Sequence, residues 1–76
     1  MDLNDMLIFA KVAELQGISP AARALCMPKS KVSRRMVMLE KAVGGRLLER
    51  STRAVYVTEA GQLFLQHCKR MVEEAS

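Results

Sequence analysis

The apolar positions Leu3, Met6, Phe9, Ala10 and Ala13 recur at the three-and-four spacing of one helical face. They predict a helix over residues 3–16, with Gly17 as its C-cap. Ser19 followed by Pro20 reads as an N-cap and a first helical residue, so "SPAARALC" opens a short second helix. "CMP" breaks it. Pro28 suits the first turn of a third helix that runs to about Val43 and closes at Gly44–Gly45. The helical period then lapses. "RLLER" and "AVYVT" are short strand-like runs on either side of "STR", which is hairpin spacing. Thr58 is placed to cap a last helix, with Glu59 in its first turn to complement the helix dipole. The predicted class is mostly α: three helices, a short hairpin and a C-terminal helix.

The third helix carries the most information. At 100° per residue, Val32, Met36, Leu39 and Val43 share one stripe, which must face a core. Ser30, Ser33, Arg34, Val37 and Lys41 share the opposite side, with Lys31 and Met38 on its flank. The first turn also offers backbone N–H groups and the positive dipole end, which suit phosphate. A side that carries Arg, Lys and Ser fits the major groove. There Arg or Lys can bond the guanine edge, and Val37 would meet a thymine methyl. Ala22 is small where two helices would cross, Leu25 and Met27 bracket the turn, and Val32 and Met36 follow, which is helix-turn-helix spacing. Cys26 stands where a left-handed turn residue is commonly Gly; if left-handed, it costs about 1 kcal/mol. The bland alternative for this stretch is two packed helices with a solvated charged face.

In the hairpin, Val55 and Val57 alternate with Tyr56, so one face packs while Tyr56 points out. Its tip, "RSTRA", carries Arg50 and Arg53. A basic hairpin beside a groove-reading helix is a wing, and a wing Arg fits a minor groove.

Charge sharpens this picture. Residues 29–53 hold eight cations and two anions, whereas the rest of the 76-residue chain holds four cations and six anions. A basic middle on a mildly acidic frame points to a polyanionic partner and says where it sits. A chain of this length forms one small domain and buries only about 60% of its extended surface, so its core is marginal. Cys26 and Cys68 have neither CxxC spacing nor a histidine cluster; no metal or cofactor is expected, and the compartment is read as reducing. No apolar run is long enough to span a bilayer and no secretory signal is visible, which points to a cytoplasmic protein with no membrane partner. The single histidine, His67, lies among apolar residues, and no Gly-rich phosphate loop or paired carboxylates appear, so no enzyme is expected.

The stretches "LIFAKVAELQGISPAARAL", "SKVSRRMVMLE" and "GGRLLERSTRAVYVTEAG", with the helix that follows, resemble the N-terminal DNA-binding domain of LysR-type transcriptional regulators. The "RLLER" and "TEAG" block is the most specific part, and the likeness covers essentially the whole chain. It implies a winged helix-turn-helix over residues 1–57 and a linker helix over 58–76, which together bind double-stranded DNA in a bacterial transcription regulator. It implies DNA contacts at Lys29, Ser30, Lys31, Ser33 and Arg34, then at Thr52 and Arg53, with Arg50 beside them on the wing. The family often has Ser or Thr where Pro28 stands, and often basic residues where Val37 and Met38 stand. Family members continue into an effector-binding domain, expected here to be absent, so a small-molecule effector would act only through that missing part. The rival reading keeps the fold but makes it a protein–protein interaction module.

Apolar surplus on the first and last helices predicts a homodimer. Ile8, Val12 and Leu15 form a second stripe beside the first on the first helix. On the last, Leu63 and Phe64 lie on one side, and Leu65, Cys68 and Val72 extend round to the next. The resemblance agrees, since the family pairs its linker helices antiparallel. Two-fold symmetry would then favour a palindromic operator.

Overall fold

The computed structural model describes residues 2–50 and 54–75. In chain order these form α1 (Leu3–Leu15), α2 (Ile18–Leu25), α3 (Lys29–Val43), β1 (Leu48–Arg50), β2 (Val55–Val57) and α4 (Glu59–Ala75). The architecture is a winged helix-turn-helix with a C-terminal helix. The two strands form an antiparallel hairpin in the register Leu48–Val57, Glu49–Tyr56 and Arg50–Val55. The tip residues Thr52 and Arg53 lie outside the described residues.

α1 is the central element and packs against α2, α3 and α4. Its Phe9 and Val12 are fully buried, and they meet Ala21 and Ala22 of α2, Val32, Met36 and Leu39 of α3, Leu47, Leu48 and Cys68 in one core. Phe64 of α4 tilts against Phe9, with ring centroids 5.6 Å apart. Such tilted aromatic pairs add to the burial itself. Leu25 and Met27 pack against this core from either side of the α2–α3 turn, as the helix-turn-helix spacing requires.

Several expected boundaries move by a residue or two. The left-handed residue that ends α1 is Gln16 (φ 54°), whose N–H bonds the Val12 carbonyl. Gly17 is extended (φ −177°) and precedes α2. A Cβ there would lie 3.0 Å from Pro20 Cδ and Cγ, so Gly17 is suited to the close approach of that ring. α2 starts at Ile18, so Ser19 and Pro20 are its second and third residues and Ser19 is not the cap. Pro20 is tolerated because amides of the first helical turn have no intrahelical acceptor. Cys26 is left-handed (φ 56°), carrying the strain that the sequence allowed for. Pro28 is the N-cap of α3 with no side-chain cap, and its carbonyl accepts from the amides of Lys31 and Val32. Val43, expected on the core stripe, is 38% exposed. It is the last residue of α3, where the chain turns at Gly44 (φ 84°) and returns with Leu47 and Leu48 to close the core.

The apolar surplus on α1 is also partly resolved inside the protomer. Ile8 and Val12, read from sequence as a second, partner-facing stripe, are buried in the domain's own core, as is Cys68 of α4. A helix gripped by three others buries more than one stripe. Phe64 and Leu65 are half-buried against that core, whereas Leu15 and Leu63 remain exposed. The side chain of Val72 is outside those described.

Candidate nucleic-acid interface

α3 is held by its buried row, Val32, Met36 and Leu39, and this sets the opposite side outward. Ser30, Lys31, Arg34, Val37 and Lys41 are exposed, and Ser33 is half-buried. The amides of Lys31 and Val32 return to Pro28, so those of Lys29 and Ser30 come before the helix's own bonds. This places two donors beside the Lys29 side chain at the positive end of the helix.

The predicted contact residues that the structure describes divide between two grooves. Lys29, Ser33 and Arg50 line an open groove of about 570 Å³, together with Gln16–Pro20 and Ala54–Val55. Ser30, Lys31 and Arg34 line a second groove of about 420 Å³, with Pro28, Arg35 and Met38. Among the described residues, none that lines either groove is acidic. α3 is therefore a ridge between two channels bordered by cations. A duplex major groove is bordered by two phosphate backbones, so a ridge of this shape can enter it with a channel for each strand.

The hairpin is tied to this ridge by contacts that sequence reading missed. Glu40 of α3 accepts from the amides of Leu47 (2.8 Å) and Leu48 (3.2 Å). The Val55 amide reaches back to the Gln16 carbonyl at 3.4 Å, so the base of the hairpin and the α1–α2 turn share one groove wall. Thr58 behaves as expected and adds a second bond: its Oγ1 accepts from the Gly61 amide (2.9 Å) and donates to the Arg46 carbonyl (2.7 Å). The only hint of Glu40's role was its position one turn before the Gly-Gly reversal that brings Leu47 back.

Arg35 differs from the other cations of α3. Its guanidinium lies 3.6 Å from Asp5 Oδ1 of α1, a buried oxygen that accepts no hydrogen bond among the described residues. The pair strengthens the junction of α1 and α3 and draws Arg35 towards the protein.

Little elsewhere suggests other chemistry. His67 is exposed, its ring 6.3 Å from that of Phe64. Burial pushes the Cys68 thiol up from its ordinary range, which keeps it protonated, while Cys26 is exposed. Among the described residues no cluster of metal-ligating side chains occurs, and no helix is long and apolar enough to cross a membrane.

Residues 3–62 match the model of bacterial regulatory helix-turn-helix proteins of the lysR family. An HTH-type transcriptional regulator of Xanthomonas campestris pv. campestris is 48% identical over 73 residues, covering 96% of this chain and 21% of that protein. The HTH-type transcriptional activator AaeR of Escherichia coli is 43% identical over 72 residues, covering 95% and 23%. Among solved structures, a CbnR_DBD–DNA complex superposes with a TM-score of 0.96 at 36% identity, covering 99% of this chain and 86% of that one. A BenM_DBD/catB site 1 DNA complex gives 0.95 at 33% identity, covering 99% and 83%. The chain thus spans under a quarter of the length of these two curated relatives.

Proposed function

The chain belongs to the lysR family of bacterial regulatory helix-turn-helix proteins, and from that premise we propose that it reads an operator for a bacterial transcription regulator. It binds double-stranded DNA with α3 in the major groove and the hairpin as a wing in the minor groove. The observation that carries this reading is the ridge of α3 between two acid-free, cation-bordered grooves. The DNA complexes formed by the similar BenM and CbnR domains support it.

In this reading Arg34, Ser30 and Ser33 face base edges, and Lys29, Lys31 and Arg50 serve mainly phosphates. Thr52 and Arg53 belong to the wing tip, with Arg53 in the minor groove. Residues 1–57 form the reading domain and 58–76 the linker, through which two copies pair on a palindromic site. The regulator works in the cytoplasm, catalyses no reaction, and binds its small-molecule effector through a separate domain.

The test is duplex binding as a function of salt. Each phosphate neutralised contributes about −0.9 to the slope of log affinity against log salt. A steep slope together with enrichment of one sequence from a random duplex pool is the expected result. Weak, salt-insensitive binding with no enrichment would make the domain a protein-interaction module instead.

A further inference from the structure

Val37 is 41% exposed on the outward side of α3, among polar neighbours. Ser33 and Arg34 lie one turn before it and Lys41 one turn after it. The core row of the same helix, Val32, Met36 and Leu39, is at most 1% exposed, so the orientation of α3 leaves Val37 no place in the protomer's interior. An aliphatic side chain on the working face of a DNA-reading helix meets either water or an apolar group of the duplex. Within the major groove, the base edges offer one such group in unmodified DNA, the C5-methyl of thymine.

We infer that Val37 reads a thymine C5-methyl and is a specificity-determining residue of this domain. The inference rests on the DNA-binding reading above and adds a base identity to it. Val37 stands four residues, about 6 Å of helix rise, beyond Ser33, so its thymine lies within about two base pairs of the base that Ser33 and Arg34 address. Val suits the task because a β-branched side chain in a helix is nearly confined to one χ1 rotamer, so little freedom is lost on contact. Met38 is also exposed, at 52%, on the side of α3 that it shares with Lys31 and Arg35. Its long unbranched side chain loses more rotamer freedom on contact than Val37 does, which makes it the poorer reader and the control.

The experiment uses the duplex enriched from a random pool and replaces each thymine in turn by deoxyuridine, which removes only the methyl. Burial of one methyl corresponds to about a fourfold change in affinity. The wild type should lose about fourfold at one thymine of each half-site. Val37→Ser should bind the thymine and uracil duplexes equally, and Met38→Ser should keep the wild-type discrimination. Both positions are exposed, and circular dichroism checks that each variant retains its helices. If the uracil penalty persists in Val37→Ser, vanishes in Met38→Ser or appears at no thymine, Val37 is not the reader although DNA recognition stands. If no duplex is enriched at all, the DNA-binding reading falls and this inference with it.

Discussion

Arg34 and Lys31 sit three residues apart on α3 but point differently. At 100° per residue, Arg34 lies within about 15° of the direction opposite the buried row, and Lys31 about 70° away from it. Arg34 therefore stands on the crest of the ridge and Lys31 on its flank. Arg34→Ala should cost about 1–3 kcal/mol on the cognate duplex and flatten discrimination at one base position, whereas Lys31→Ala should weaken cognate and random duplexes alike. Competition binding with both variants measures this, and equal losses for Arg34→Ala on the two duplexes would remove its base-reading role. The two cysteines separate as clearly. Cys26 is exposed and Cys68 fully buried with its thiol pKa raised. A short alkylating reagent should modify Cys26 in the native protein and Cys68 only on unfolding, as read by mass spectrometry. Because the unfolded thiol ionises first, Cys68 should also lower stability as pH rises through and above about 8.5, the ordinary thiol value. Cys68→Ala should flatten that slope in denaturant titrations at several pH values.

At the scale of elements, the position of the wing depends on Glu40. Glu40→Ala would leave the Leu47 and Leu48 amides without their carboxylate acceptor, which costs about 1–3 kcal/mol for each such group that stays buried. Thermal unfolding should show the loss, and duplex affinity measured well below the unfolding transition should fall because the wing is no longer pinned to α3. Unchanged affinity would mean that the hairpin is held well enough by its valines, Thr58 and the Val55–Gln16 bond. The two sides of α3 were legible because a helix must turn its aliphatic row inward, and Val32, Met36 and Leu39 left little choice. The cap of α1 was not, because the left-handed residue is Gln16, while the glycine beside it makes room for Pro20. Nor was the role of Gly61, the last residue of "TEAG". Its reason lies in a tertiary approach: a Cβ there would collide with the Leu47 carbonyl and come within 2.6 Å of Val57 Cγ1. Periodicity shows which side of an element is apolar, but not how many neighbours will cover it.

Burial within the protomer limits the apolar surface left for a partner copy. Ile8, Val12 and Cys68 are consumed by the protomer's core, so α1 and α4 have fewer apolar residues to offer a partner than their sequences suggested. What remains is still a surface: Leu3, Leu7 and Leu15 on α1 are each about 40% exposed, Met71 on α4 is 39% exposed, and Leu63 reaches 66%. Leu7 and Ala10 face Cys68 across a groove between the two helices, rimmed by Lys11, Glu14, Lys69 and Glu73. The rim carries both charge signs, with Lys11 and Glu14 already paired at 3.0 Å, so a two-fold contact there brings no excess of like charge together. A two-fold pair that sets its two α3 copies on successive major grooves, about 34 Å apart, calls for a palindromic site. Sedimentation should show a dimer at high protein concentration, and Leu7→Glu with Leu63→Glu should hold the chain monomeric with its helices intact. Both side chains are exposed, so the double variant tests association rather than folding; Val12→Glu, aimed at a fully buried position, would test only folding. A wild type that stays monomeric at millimolar concentration, or a double variant that still pairs, would place the interface elsewhere. The operator then separates dimer from monomer independently. A half-site duplex should bind the wild type and the double variant equally, and only the wild type should gain affinity on the full palindrome.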